Sequence, residues 1–184
     1  PSTIPRRSKD GVPPRPEAFP TPQAMTGAPA DDELPFGGTG PPKGWHESEA
    51  ELLVLLDLVA TRYRTDPARV YLTGLSYGGF GTWYLASKHP ERFAAMAPVA
   101  GWGHPELIPP LARRRLPVWA FAGGRDPAIL VQHFYPGLNA LEARGHDDVR
   151  FTVREDRGHD VWRRVYASSD LYDWLLSHRL PEDP

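Results

Sequence analysis

Val70-Tyr71-Leu72-Thr73-Gly74-Leu75-Ser76-Tyr77-Gly78-Gly79 is the stretch that decides the fold. Val70 to Thr73 is apolar and β-branched, as a short buried strand should be. It runs into a serine with a glycine two before it and two after it, and Phe80 to Lys88 beyond is compatible with a helix. Trp83, Tyr84 and Leu85 are available there to pack. A strand that turns this sharply into a helix strains the central residue and lifts its side chain above the strand's C-terminal end. Gly74 and Gly78 are read as leaving room for helix and strand to approach, where a Cβ would clash. Ser76 is therefore the candidate nucleophile. The bland alternative is a structural glycine-rich turn; the strand before the serine and the helix after it favour the nucleophile.

An activated serine needs a base, and the base needs an orienting acid. The next strand-like run, Leu116 to Ala122, ends in Gly123-Gly124-Arg125-Asp126-Pro127. A carboxylate just past a buried strand can fix the tautomer of a histidine on the neighbouring loop and stabilise its imidazolium. Asp126 is the candidate; as a bland alternative it starts a turn before proline. Asp156, after the following strand, is the reserve acid. Among seven histidines, His159 stands in Asp156-Arg157-Gly158-His159-Asp160. It follows Val149 to Arg154, where apolar and charged residues alternate with period two. Its imidazole suits a general base that later acts as general acid. His89, before Pro90 near a helix end, reads as structural. His46, His104, His133, His146 and His178 read as solvated positions in loops or on helix surfaces, with His104 also able to line a pocket. No histidine pair has the spacing of a zinc-binding helix and there is no cysteine, so neither a metal nor another cofactor is expected.

From Glu47 onward helices and strands alternate. Glu47 to Arg64 carries Leu52, Leu56, Val59 and Tyr63 at helical spacing, with Leu53 and Ala60 beside them, after an acidic first turn. Strands are expected at 70–74, 94–100, 117–122 and 149–154. Helices are expected from Phe80, near 129–144 and within 169–178; a loop holds Gly101-Trp102-Gly103-His104. Strands separated by helices imply parallel βαβ units, an α/β fold with a mainly parallel sheet and flanking helices. Trp102 and Trp162, in loops beside the candidate residues, are the expected walls of a substrate pocket.

Asp66 to Gly79, His89 to Ala95, Gly123 to Asp126 and Gly158 to Trp162 together resemble the carboxylesterase and polyhydroxybutyrate-depolymerase-like branch of the α/β-hydrolases. The likeness covers about residues 45 to 178. It implies ester hydrolysis through an acyl-enzyme on Ser76, with His159 as base and Asp126 as orienting acid. It further implies that the backbone N–H of Tyr77 is one oxyanion donor. The substrate it implies is a small-molecule or polymeric ester. One departure stands out: the family's second oxyanion donor usually comes from a His-Gly loop ahead of the serine, and no His-Gly pair precedes Ser76. The chain thus resembles the C-terminal part of the fold, without its N-terminal strands.

Residues 1–45 hold 11 of the 22 prolines, which argues against a central strand there. They read as a Pro-rich linker or disordered segment, and 46–184 as the catalytic domain. Phe36-Gly37-Gly38-Thr39-Gly40 can be read as a linker or as a loop that supplies the missing donor. No signal peptide or membrane span is expected in this chain, and the compartment stays open. A net charge of −2 with 24% charged residues gives no case for nucleic-acid binding. With strand 70–74 lacking a partner on one side, the edge predicts a homodimer, poor solubility or coverage by the N-terminal segment. Two alternatives to the esterase remain: a noncatalytic remnant serving as an interaction module, and a serine peptidase.

Overall fold

The computed structural model describes residues 44–181. Residues 1–43, with the glycine-rich run at 36–40, lie outside the described part. Four strands form one parallel sheet: β1 (Tyr71–Leu75), β2 (Ala95–Val99), β3 (Val118–Gly123) and β4 (Val149–Arg154), in that spatial order. Each expected strand is present to within a residue or so. Parallel neighbours need crossovers, and these carry the helices α2 (Tyr77–Lys88), α3 (Ile108–Arg114) and α4 (Tyr135–Glu142). α1 (Trp45–Arg62) precedes the sheet, and α5 (Trp162–Tyr166) and α6 (Ser169–Leu176) close the chain.

Alternation along the strands divides the core between the two faces of the sheet. Met96, Val118, Ala120 and Ala122 point to one face and meet Phe80 and Trp83 of α2, Ile108 and Leu111 of α3, and Leu138 and Leu141 of α4. Ala95, Ala97, Val99 and Phe121 point to the other and meet Val161, Val165, Leu171 and Trp174. Ala95 and Ala97 of β2 leave room on the second face for the large side chains Trp174 and Leu171 to sit close to the sheet. The C-terminal end is tied back to the approach to β1: Tyr71 Oη donates to the His178 carbonyl at 2.9 Å, and Leu180 N–H to the Ala68 carbonyl at 2.8 Å.

Several expectations change. α1 is an amphipathic helix, yet none of its residues is fully buried. Leu52 and Leu56 pack on the core, whereas Val59 and Tyr63 are exposed, as are Val54 and Leu55 at 66% and 54%. The cause is the sheet edge: β1 has β2 on one side and no strand among the described residues on the other. What remains between α1 and β1 is an apolar groove lined by Leu52, Leu56, Val59, Val70, Leu72 and Phe93. α3 has no counterpart among the expected helices, and it opens on Ile108-Pro109-Pro110 although proline breaks a helix interior. In the first turn of a helix, however, the missing N–H of proline has no partner to lose. The helix expected near 129–144 divides into a 3₁₀ turn, Val131–Phe134, and α4, whose first turn contains Pro136 for the same reason.

Two histidines expected in solvent are in the interior. His133 and His146 are buried, and burial pulls the pKa of both below the ordinary value. His146 Nε2 reaches the Leu116 carbonyl at 2.8 Å, while neither ring nitrogen of His133 has a partner among the described residues.

Candidate active site

Parallel strands place all their C-terminal ends on one side of the sheet, where open α/β sheets carry their ligands. Ser76 follows β1, Asp126 follows β3 and His159 follows β4, so topology alone brings the three candidates to one rim.

Ser76 sits between β1 and α2 with φ 54° and ψ −116°, a conformation that an L-residue adopts only under compulsion. The compulsion comes from its neighbours. Ser76 N–H donates to the Val99 carbonyl at 2.9 Å and its own carbonyl accepts from Phe80 N–H at 3.1 Å. A Cβ on Gly74 would overlap the Gly78 backbone, so the strand can pass under the helix only at a glycine. The expected symmetry between the two glycines is absent: a Cβ on Gly78 would meet nothing within 4 Å. The second close approach belongs instead to Gly79, where a Cβ would lie 2.6 Å from the Val99 carbonyl oxygen.

Asp126 is held rigidly. Its side chain has no exposed surface; Oδ1 accepts from the N–H groups of Ala128 and Ile129 at 2.9 and 3.0 Å. Oδ2 lies 2.7 Å from His159 Nδ1. With Nδ1 donating to the carboxylate, Nε2 is left with the lone pair a base needs. His159 is partly open to solvent, at 42% of its side chain. The loop that bears it passes close to the end of β3: a Cβ on Gly123 would overlap the Gly158 carbonyl. Glycine at 123 is therefore what lets the acid-bearing and histidine-bearing loops meet.

The structure joins His159 to Asp126 directly; among the described residues, no hydrogen bond links Ser76 Oγ to the imidazole. Catalytic hydrogen bonds are often long before substrate binds. Asp156 does not compete for the acid's place. It is exposed and pairs with Arg164 and Arg157 at 3.4 and 3.5 Å. His89 is held by Glu49 at 2.7 Å, and His104 Nδ1 accepts from Glu106 N–H at 3.2 Å, capping a 3₁₀ turn.

The two tryptophans part company. Trp162 opens α5, half-buried, under the Arg163 guanidinium at 5.4 Å. Trp102 is only 8% exposed, edge-on to Phe80 at 4.4 Å and 5.1 Å from His133. Its indole is a core ring in this structure. Sequence pattern misses Trp45, which stacks on Tyr77 with ring centroids 4.9 Å apart. A tryptophan just ahead of an amphipathic helix is the signal that could have found it. No group of three or more His, Asp or Glu side chains among the described residues is arranged to hold a metal ion.

A parallel sheet flanked by helices, a strained serine between strand and helix, and an acid–histidine pair on the following strand ends define an α/β-hydrolase fold. A family described as "Putative esterase" matches residues 45–164, and the chain belongs to it. Over 47 residues, 26% of this chain and 11% of the relative, it is 45% identical to poly(3-hydroxyalkanoate) depolymerase C of Paucimonas lemoignei. Over 77 residues, 40% of this chain and 21% of the relative, it is 38% identical to "Putative esterase NocK" of Nocardia uniformis subsp. tsuyamanensis. A crystal structure of a thermostable esterase superposes with a TM-score of 0.66 at 27% identity, covering 72% of this chain and 37% of the other. The matched stretches are thus a minor part of each of these longer proteins.

Proposed function

We propose that the protein is a serine carboxylic-ester hydrolase. The observation that carries the reading is the buried Asp126 carboxylate, which two backbone N–H groups and the His159 ring lock in place on the rim that also bears Ser76. In the reaction, Ser76 Oγ attacks the acyl carbonyl while its proton passes to His159 Nε2. The carbonyl π electrons move onto oxygen, and the Tyr77 N–H at the start of α2 stabilises that oxyanion. Collapse of the intermediate expels the alcohol, which takes the proton from His159, and leaves the acyl group on Ser76. Water then attacks the acyl carbon while giving a proton to His159; collapse breaks the bond to Ser76 Oγ, which takes that proton back as the free acid departs.

The helix macrodipole of α2 adds partial positive charge where the oxyanion forms. Membership of an esterase family supports the same chemistry, and the depolymerase relative favours testing polymeric as well as small esters. Trp162, half-buried and three residues after His159, is the proposed pocket wall.

The deciding experiment is p-nitrophenyl acetate and butyrate hydrolysis beside a Ser76→Ala control. Turnover that disappears with Ser76 supports the reading; turnover equal in both proteins refutes it. A second reading, a noncatalytic interaction module, draws on the edge of β1 that has no strand beside it among the described residues and on the exposed apolar face of α1. Stoichiometric labelling of Ser76 by a fluorophosphonate would rule that one out, since only an activated serine reacts quickly.

A further inference from the structure

Strain at Ser76 persists only if the surroundings over-determine the turn. From the sheet side, the Val99 carbonyl and the passage of Gly74 beneath Gly78 do so. A second set of contacts comes from the opposite direction. Trp45, the first residue of α1, lays its indole on the Tyr77 ring with centroids 4.9 Å apart and planes 24° apart. One turn further along α2 the same indole fills the place that a Cβ on Gly81 would occupy. The Tyr77 hydroxyl in turn lies 2.5 Å from where a Cβ on Gly44 would stand, at φ 95°. Gly44-Trp45 thus grips α2 at two successive turns.

The grip depends on the ring. Trp45 Nε1 is buried without a hydrogen-bond partner among the described residues, a cost accepted only if the aromatic contact fixes the side chain's position. Further along the same interface the bonds are polar. Tyr84 Oη donates to Glu49 at 2.8 Å and His89 Nε2 meets Glu49 at 2.7 Å. Burial, and then this carboxylate, push the Tyr84 phenol up to about 12, so it remains a donor throughout the working pH range. α1 is therefore anchored on α2 independently of Trp45, which leaves the indole available for a local task.

We propose that Trp45 is a positioning residue for the nucleophile turn. Acting through Tyr77 and Gly81, it holds the first turn of α2 in place, and with it the Ser76 conformation and the direction of the Tyr77 N–H. The consequence for turnover rests on the esterase reading; the local restraint does not. Loss of one aromatic stack corresponds to about a tenfold change in a local equilibrium.

The test compares Trp45→Ala and Trp45→Phe with the parent protein by hydrogen exchange, thermal unfolding and p-nitrophenyl acetate kinetics. Trp45→Ala is expected to speed exchange of the Phe80 amide, which bonds to the Ser76 carbonyl, by about tenfold. Amides of β3 should keep their rates. In the same variant kcat should fall by about tenfold with KM within twofold, and Trp45→Phe should restore most of it. Acceleration spread equally over Phe80 and β3, or kcat unchanged in the folded variant, would overturn the proposal by reducing Trp45 to a general stabiliser. If Trp45→Ala does not fold, the Phe80 amide in Trp45→Leu, which fills volume without stacking, decides between the same two outcomes. Should Ser76 of the parent protein resist fluorophosphonate altogether, the esterase reading fails, while the exchange data still decide whether the indole restrains the turn.

Discussion

Replacing Asp126 by asparagine preserves shape and changes which proton the imidazole carries. Asp126 Oδ1 accepts from two backbone N–H groups, and Oδ2 faces His159 Nδ1. In the Asp126→Asn variant the amide oxygen must stay on the Oδ1 side, because turning the NH₂ toward two donors forfeits both bonds. At about 1 kcal/mol each that is about 2 kcal/mol, a preference of roughly 30-fold for one orientation. The NH₂ group then points at Nδ1, which must accept, so the ring proton moves to Nε2 and the base toward Ser76 is lost. The expected result is a fall in kcat of ~10³–10⁴ with little change in KM. Ester hydrolysis gives the rate, ¹⁵N NMR of the imidazole reports the tautomer, and thermal unfolding checks the fold. A kcat within tenfold of the parent, or a large loss with Nδ1 still protonated, would refute the reasoning.

Gly123→Ala drives a methyl into the Gly158 carbonyl beside His159, and is expected to destabilise the protein by about 2–3 kcal/mol in urea unfolding and to lower kcat; an unchanged midpoint would contradict the packing. His133 and His146 have pKa values below that of the unfolded chain, so the unfolded state binds more protons. Their share of stability is therefore complete above about pH 6.5 and is lost as pH falls toward the folded values. Unfolding curves from pH 7.5 to 5 should show this decline, and His133→Phe should flatten it; an unaltered slope would exclude His133. His178 works in the opposite sense: its bond to Asp148 raises its pKa, so its contribution is present below about pH 6.5 and is lost as pH rises through the folded value. Asp148→Asn should remove that loss, measured as the change in Tm between pH 6 and 8.5. The exposed apolar face of α1 predicts self-association through a second copy. Leu55→Lys with Leu58→Glu should abolish concentration-dependent sedimentation, and unaltered sedimentation would remove that face from consideration.

Much of the architecture was legible because it depends on local pattern. The strand before Ser76, the alternation in 149–154 and the acid just past β3 each leave a mark within ten residues of sequence. The pairing of Asp126 with His159 was legible too, since parallel strands must end on one rim. Burial was harder. His133 and Trp102 sit in stretches that read as loop and surface; inside the fold they meet each other, and Trp102 meets Phe80 of α2. α3 was hidden by two prolines that are harmless in a first turn. Asp156 and Asp126 look alike as carboxylates after strands; what separates them is that Asp126 turns inward onto two backbone donors, while Asp156 meets exposed arginines.

The strands follow one another across the sheet in the order they leave the chain, with consequences for how the molecule assembles. Tyr71 pairs with Ala95 and Val118 with Val149, 24 and 31 residues apart along the chain, so each strand closes onto its predecessor across a single helical crossover. The bonds between Tyr71 and the His178 carbonyl, and between Arg69 and the Leu176 carbonyl, instead span 107 residues. Loop-closure entropy places such contacts late, after a nucleus formed from successive neighbours. The C-terminal tie thus acts as a latch on an already folded sheet, governing how slowly the native state opens rather than how fast it forms.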